Sequence, residues 1–213
     1  MERTRRATRT VSRTLGALGA VLLVGSIAYV GTGYTTTGID GDGMRPAYGT
    51  GDRVLLERTG AGAVRRGDVV LHRSPGRHGE LAVLQRVVGV GGDRVAQRPE
   101  GPVTVNGEPL TEPYVLGGAP SSGTALAYDV VVPEGRLFLL GDNRGNSLDS
   151  RHFLEDRSGT VAEHAVLARV TEDRSVLCLT GLAALLGLAL VLGAIVAEIA
   201  GRAKHPARQH PAP

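Results

Sequence analysis

Eleven consecutive residues, Gly141 to Arg151, gather acids (Asp142, Asp149), arginines (Arg144, Arg151), amides (Asn143, Asn146) and hydroxyls (Ser147, Ser150) around Gly141 and Gly145. They directly follow the apolar run Leu137–Leu140. Such a segment cannot fill a core, but it can build a rigid polar loop whose side chains hold one another in place. Ser147 offers a hydroxyl there, and a serine hydroxyl becomes a useful nucleophile only when a positioned base takes its proton. A lysine can be that base only where burial keeps it neutral near pH 7. The chain has one lysine, Lys204, close to its C-terminal end. The histidines do not supply a substitute: His72, His78, His152 and His164 read as exposed loop or strand positions without metal-ligand spacing, and His205 and His210 fall in the C-terminal tail. No metal or cofactor is expected.

The Gly141–Arg151 string closely resembles the last signature segment of bacterial type I signal peptidases, which cut leader peptides with a serine/lysine pair. Further segments resemble that family in order. Gly41-Asp42-Gly43-Met44-Arg45-Pro46, followed by Gly51-Asp52-Arg53-Val54, is similar to the nucleophile segment, in which a serine precedes Met-x-Pro. Arg65-Arg66-Gly67-Asp68-Val69-Val70-Leu71 resembles the Arg-Gly-Asp-hydrophobic strand and reads equally well as a turn feeding a core strand. The stretch from Gln85-Arg86-Val87 to Asp93-Arg94-Val95 resembles the base segment, which Lys-Arg-Val opens in bacterial members and which carries a histidine in the endoplasmic-reticulum branch.

The resemblance implies that Gly43 stands in the serine slot and Gln85 in the lysine slot. Glycine has no side chain to attack with, although its N–H can still face an oxyanion site. A carboxamide has no useful basicity near pH 7. By the same resemblance Ser147 supports the head of the base, Asp149 and Arg151 form a salt-bridged pair, and Arg86 lies nearby as an ion-pair partner. Gly41, Asp42, Met44, Pro46, Gly141, Asp142, Asn143, Arg144 and Asn146 form the loop scaffold. The function implied is that of a membrane-anchored, non-catalytic homologue that binds signal-peptide ends, secretory preproteins or partner proteins. The alternative is an active leader peptidase with a non-standard arrangement, in which Ser147 is the substitute nucleophile.

The elements that must position these residues read as β. Val54–Leu56, Asp68–His72, Leu81–Val90, Val103–Val105, Tyr128–Val132 and Leu137–Leu140 are short runs rich in valine and leucine, bounded by Gly, Pro, Asp or Asn. Asn106-Gly107 is a two-residue hairpin signal, because both residues tolerate positive φ. Residues 117–127 read as an exposed loop, and no amphipathic helix longer than two turns is evident between residues 35 and 175. A mostly β, signal-peptidase-like barrel or sandwich is expected, tethered by N- and C-terminal transmembrane helices.

Those tethers are Leu15–Tyr34 and Ser175–Ala197, uncharged runs of 20 and 23 residues, where a bilayer crossing needs roughly 20. The net charge of +3 divides unevenly. Five arginines face one glutamate in residues 1–34, the middle carries 16 basic against 19 acidic side chains, and Arg202, Lys204 and Arg208 face Glu198 in the tail. The positive-inside rule then makes both termini cytoplasmic. The expected order is a basic cytoplasmic N-terminus (1–14), an anchor (15–34), an extracytoplasmic β domain (35–174), a second span (175–197) and a cytoplasmic tail (198–213), in the cell membrane. An N-terminal run with Ser26-Ile27-Ala28 also fits a cleavable signal peptide, but its unbroken continuation favours an anchor. An acidic middle with few aromatics argues against a nucleic-acid partner. Cys178, the one cysteine, lies inside the second span and excludes an intramolecular disulfide.

Overall fold

The computed structural model describes residues 2–59, 63–79, 81–99, 101–118 and 127–203. The chain divides into two compact units, Tyr34–Glu172 on the one hand and Met1–Gly33 with Asp173–Pro213 on the other.

The first unit is built of short strands: β1 (Tyr34–Gly38), β2 (Arg53–Glu57), β3 (Val69–His72), β4 (Val83–Val90), β5 (Arg94–Gln97), β6 (Val103–Val105), β7 (Glu108–Pro109), β8 (Tyr128–Val131), β9 (Arg136–Leu140), β10 (Val161–Ala162) and β11 (Val166–Val170). They make a seven-stranded sheet in the order β1-β2-β11-β3-β4-β9-β10 and a four-stranded sheet in the order β7-β6-β5-β8. Among the described residues the rest of this unit contains only short 3₁₀ turns as helical structure. The fold is mostly β, as the runs of valine and leucine lead one to expect. Tyr34 is a departure: it opens β1 instead of closing the anchor helix. Thr35–Thr37, which follow it, are β-branched and favour extended pairing, here with Val54–Leu56.

Strand β9 shows why the core sits where it does. Leu137 and Leu139 pack with Val70, Val87 and Val161, while Phe138 and Leu140 pack with Val88, Val95, Val103 and Val130. With both faces covered, the strand reads as a continuous apolar run instead of an alternating one. Burying each such side chain contributes about 2 kcal/mol. Strand β4 carries a bulge opposite β9 between Val87 and Gly89, which bends the strand. A Cβ on Gly89 would lie 2.4 Å from Val95 Cγ2, so only glycine fits this close approach. The hairpin joining β6 to β7 uses Asn106 and Gly107 at φ 54° and 88°, a type I′ requirement.

The second unit pairs two helices, α1 (Glu2–Gly33) and α2 (Ser175–Ala203). Stretches Arg9–Gly33 and Ser175–Gly201 are long and apolar enough to cross a membrane, with mean hydropathy 1.8 and 2.5. Within the unit Gly19 and Gly187 meet so closely that a Cβ on either would stand 2.6 Å from the other's carbonyl oxygen. Small residues permit this backbone approach. Ser12 donates to the Ala194 carbonyl, and Arg13 pairs with Glu198 at 2.9 Å. In the expected exposed loop, residues 119–126 lie outside the described residues, as do Lys204, His205 and His210.

Candidate functional site

Three segments converge. The turn after β1 carries Gly43, β4 carries Gln85, and the loop after β9 carries Gly141–Arg151. Asn143 ties the last loop to the first turn, its backbone N–H donating to the Gly43 carbonyl and its side-chain amide to the Asp42 carbonyl, both at 3.0 Å. Asp42 in turn accepts from Thr50 and faces Arg45 at 3.6 Å. Met44 is buried and anchors the turn, which includes a cis Arg45–Pro46 bond. Ser147 lies directly over Gly141: a Cβ at Gly141 would come within 2.1 Å of Ser147 Oγ and 2.6 Å of the Gly43 carbonyl oxygen. Gly43, Gly141 and Ser147 are therefore packed together, and position 141 admits glycine only.

Three ion pairs hold the loop. Asp149 and Arg151 pair at 2.8 Å with side chains 0% and 2% exposed. Asp149 also accepts the Gly141 N–H, and Arg151 donates to the Arg144 carbonyl. Burial would raise the Asp149 pKa, but the neighbouring His152 and the hydrogen-bonded Arg151 hold it below the usual carboxylate range. Arg86 does not join this pair. It grips Asp142 through Nε (2.8 Å) and Nη2 (2.5 Å) and stacks on the Tyr114 ring at 4.0 Å. At Asp142 burial outweighs the arginine and the pKa is raised. Arg144, fully buried, pairs with Glu112 and donates to the Gly141 carbonyl.

Gln85 is held at both ends of its carboxamide. Its Nε2 donates to the Leu148 carbonyl at 2.8 Å, and its Oε1 accepts from His72 Nε2 at 3.0 Å. That contact puts the His72 proton on Nε2, leaving Nδ1 to accept from Ser74 Oγ at 3.1 Å. His72 is thus not an exposed strand position. It is wholly buried at the end of β3, and burial lowers its pKa to about 4. Ser147 makes no hydrogen bond among the described residues, to Gln85 or to any base.

These residues border a groove of about 390 Å³, with Ile39, Met44, Leu71, Leu84 and Leu148 as apolar wall and Gly43, Gln85, Ser147 and His78 also facing it. Among the described residues no cluster of three or more His, Cys, Asp or Glu could hold a metal. Sequence reasoning missed His72, Ser74, Tyr114 and Glu112. His72 alone left a trace, as a polar residue closing the run Val69-Val70-Leu71; the others act through loop geometry that no local pattern encodes.

Residues 8–172 match a family model described as signal peptidase, peptidase S26. This chain belongs to that family. Over 137 residues it is 32% identical to signal peptidase I T of Bacillus subtilis (strain 168), covering 61% of this chain and 67% of that protein. It is 34% identical over 124 residues to signal peptidase I of Bacillus licheniformis, covering 54% and 65%. The chain thus spans about two thirds of the length of these relatives. A crystal structure of a signal peptidase I from Enterococcus faecalis V583 is 27% identical, with 53% of this chain and all of that one covered at a TM-score of 0.42. Family membership and the two apolar helices point to membrane association for this signal peptidase family chain.

Proposed function

We propose that this chain is a membrane-anchored, non-catalytic signal peptidase I homologue that binds the ends of signal peptides, or secretory preproteins, in its groove without cutting them. One observation carries the reading. The positions that resemble the family's nucleophile and base are Gly43 and Gln85, and both hydrogen-bonding ends of the Gln85 carboxamide are occupied by His72 and Leu148. A saturated amide with no basicity cannot take a proton. Removing a nucleophile or its base alone costs about 10⁶-fold in serine proteases. What remains is a groove whose apolar wall suits short aliphatic side chains and whose neighbouring loop is tied down by buried ion pairs.

The alternative, catalysis by Ser147, draws on its place beside the groove. It is disfavoured because no base contacts its hydroxyl among the described residues. The discriminating experiment is fluorescence anisotropy of a labelled leader peptide with the full-length protein in detergent, followed by mass analysis of the peptide. The reading expects saturable binding, an unchanged peptide mass, and weakened binding in Leu148→Asp. Absence of binding, or a cleaved peptide, contradicts it.

A further inference from the structure

A second cavity, of about 330 Å³, shares no lining residue with the groove. Arg77, Arg136 and Arg157 all border it, with Thr160 and His164, and Asp156 is its one carboxylate among the described residues. Such a surplus of cations around one hollow needs a counter-charge.

The three arginines differ in what they have left to give. Arg77 is committed. Its Nε and Nη2 hold Asp156 at 3.2 and 2.8 Å, its other bonds go to the carbonyls of Asp156, Gly159 and Thr160, and its side chain is 7% exposed. It forms a fixed wall and neutralises Asp156. Arg136 donates Nε to Thr160 Oγ1 at 2.6 Å and Nη2 to the Thr160 carbonyl at 2.5 Å. Its Nη1 has no partner and no carboxylate pairs with it among the described residues. Burial lowers the Arg136 pKa, and the charges of Arg157 and Arg77 lower it further. Arg157 is exposed and has no ion pair among the described residues.

The backbone that presents Arg157 is unusual. Arg157 and Ser158 adopt φ of 50° and 55°, ahead of Gly159 at 73°. Left-handed conformations at non-glycine residues persist where surrounding contacts impose them, and here Arg77 pins the carbonyls on either side. Two guanidinium groups that form no ion pair among the described residues thus border one cavity. With Asp156 set against Arg77, two positive charges remain. A carboxylate would balance one of them; a phosphate monoester carries about −1.5 to −2 near neutral pH and offers three acceptor oxygens. Guanidinium donors match those oxygens in geometry as well as charge.

We propose that the cavity bordered by Arg136 and Arg157 binds a phosphate group, carried by a free phosphate monoester or by a lipid headgroup. The test uses the full-length protein in a neutral detergent. Thermal unfolding is followed against inorganic phosphate, with sodium chloride at equal ionic strength as control, and against dioctanoyl phosphatidic acid, with dioctanoyl phosphatidylcholine as control. A ligand that binds only the folded state raises the unfolding midpoint in a saturable manner. The expected result is such a rise with inorganic phosphate or phosphatidic acid, and an apparent Kd weakened by roughly tenfold in Arg157→Gln, the loss of one charged hydrogen bond. A response to both probes identifies the phosphate group itself as the ligand; a response to phosphatidic acid alone identifies the headgroup. Arg157→Gln removes no observed bond, so its unfolding midpoint without ligand should match the parent. Phosphate no better than chloride together with phosphatidic acid no better than phosphatidylcholine overturns the proposal. So does binding that survives unchanged in both Arg157→Gln and Arg136→Gln.

Discussion

Gln85 and His72 form a buried amide–imidazole pair, with Oε1 and Nε2 3.0 Å apart. The pair joins β4 to β3, and the Gln85 bond to the Leu148 carbonyl extends it to the loop after β9. A carboxamide performs this bridging without charge, where a lysine would have to be kept neutral by burial. The same pair makes a prediction about pH.

His72 is held neutral in the folded protein, with a pKa lowered to about 4 by burial, while the unfolded chain takes up a proton near 6.5. The stability this group contributes is complete above about pH 6.5 and is lost as pH falls toward 4. At about 1.36 kcal/mol per pH unit, the loss approaches 3 kcal/mol. Urea unfolding at pH 7, 5.5 and 4 should show the decline in the parent protein and a flatter profile in His72→Gln. Equal slopes in the two proteins would contradict the assignment.

How much of this was legible in the sequence depends on whether a residue acts locally. Val54–Leu56, Val103–Val105 and Leu137–Leu140 lie inside strands because composition and bounding residues suffice to mark them. Asn106-Gly107 states its own turn. Strands β1, β5, β10 and β11 carry no such local mark, because short or threonine-rich segments become strands only through their neighbours, as Thr35–Thr37 do against Val54–Leu56. At the site, the ionic pair Asp149–Arg151 lies within one loop and follows from the motif. The partner of Arg86 does not: it is Asp142, 56 residues away in sequence. The burial of His72 depends on the packing of β3 between β4 and β11, which a strand-length window cannot report.

Asp149→Ala should leave Arg151 buried without its counter-charge. Breaking a pair this well buried costs about 3 kcal/mol or more, and the Gly141 and Arg151 backbone N–H groups lose their acceptor as well. The unfolding midpoint should drop by several degrees relative to the parent. A midpoint unaffected by Asp149→Ala would show that the loop does not depend on the pair.

Topology offers a third check. The charge distribution, with basic residues gathered toward the chain-terminal ends of the two apolar helices, predicts that both termini are cytoplasmic and that residues 34–172 face the opposite compartment. Reporter fusions at the C-terminus and within residues 117–127 should therefore report opposite sides. Finding both on one side would contradict two crossings.

The central claim is that the fold persists while the proton-transfer pair is gone. Space for restoring it exists at Gly43: a Cβ there meets nothing closer than the Asn146 carbonyl oxygen at 3.5 Å, and no positive φ stands in the way. At position 85, where Gln85 is 4% exposed, burial would favour the neutral lysine that the chemistry requires. The most direct measurement is leader-peptide cleavage by purified full-length protein and by Gly43→Ser, Gln85→Lys and the double variant. The account predicts no turnover by the parent or either single variant, and measurable turnover by the double variant alone, a non-additive gain. Turnover by the unmodified protein that Ser147→Ala abolishes would contradict it.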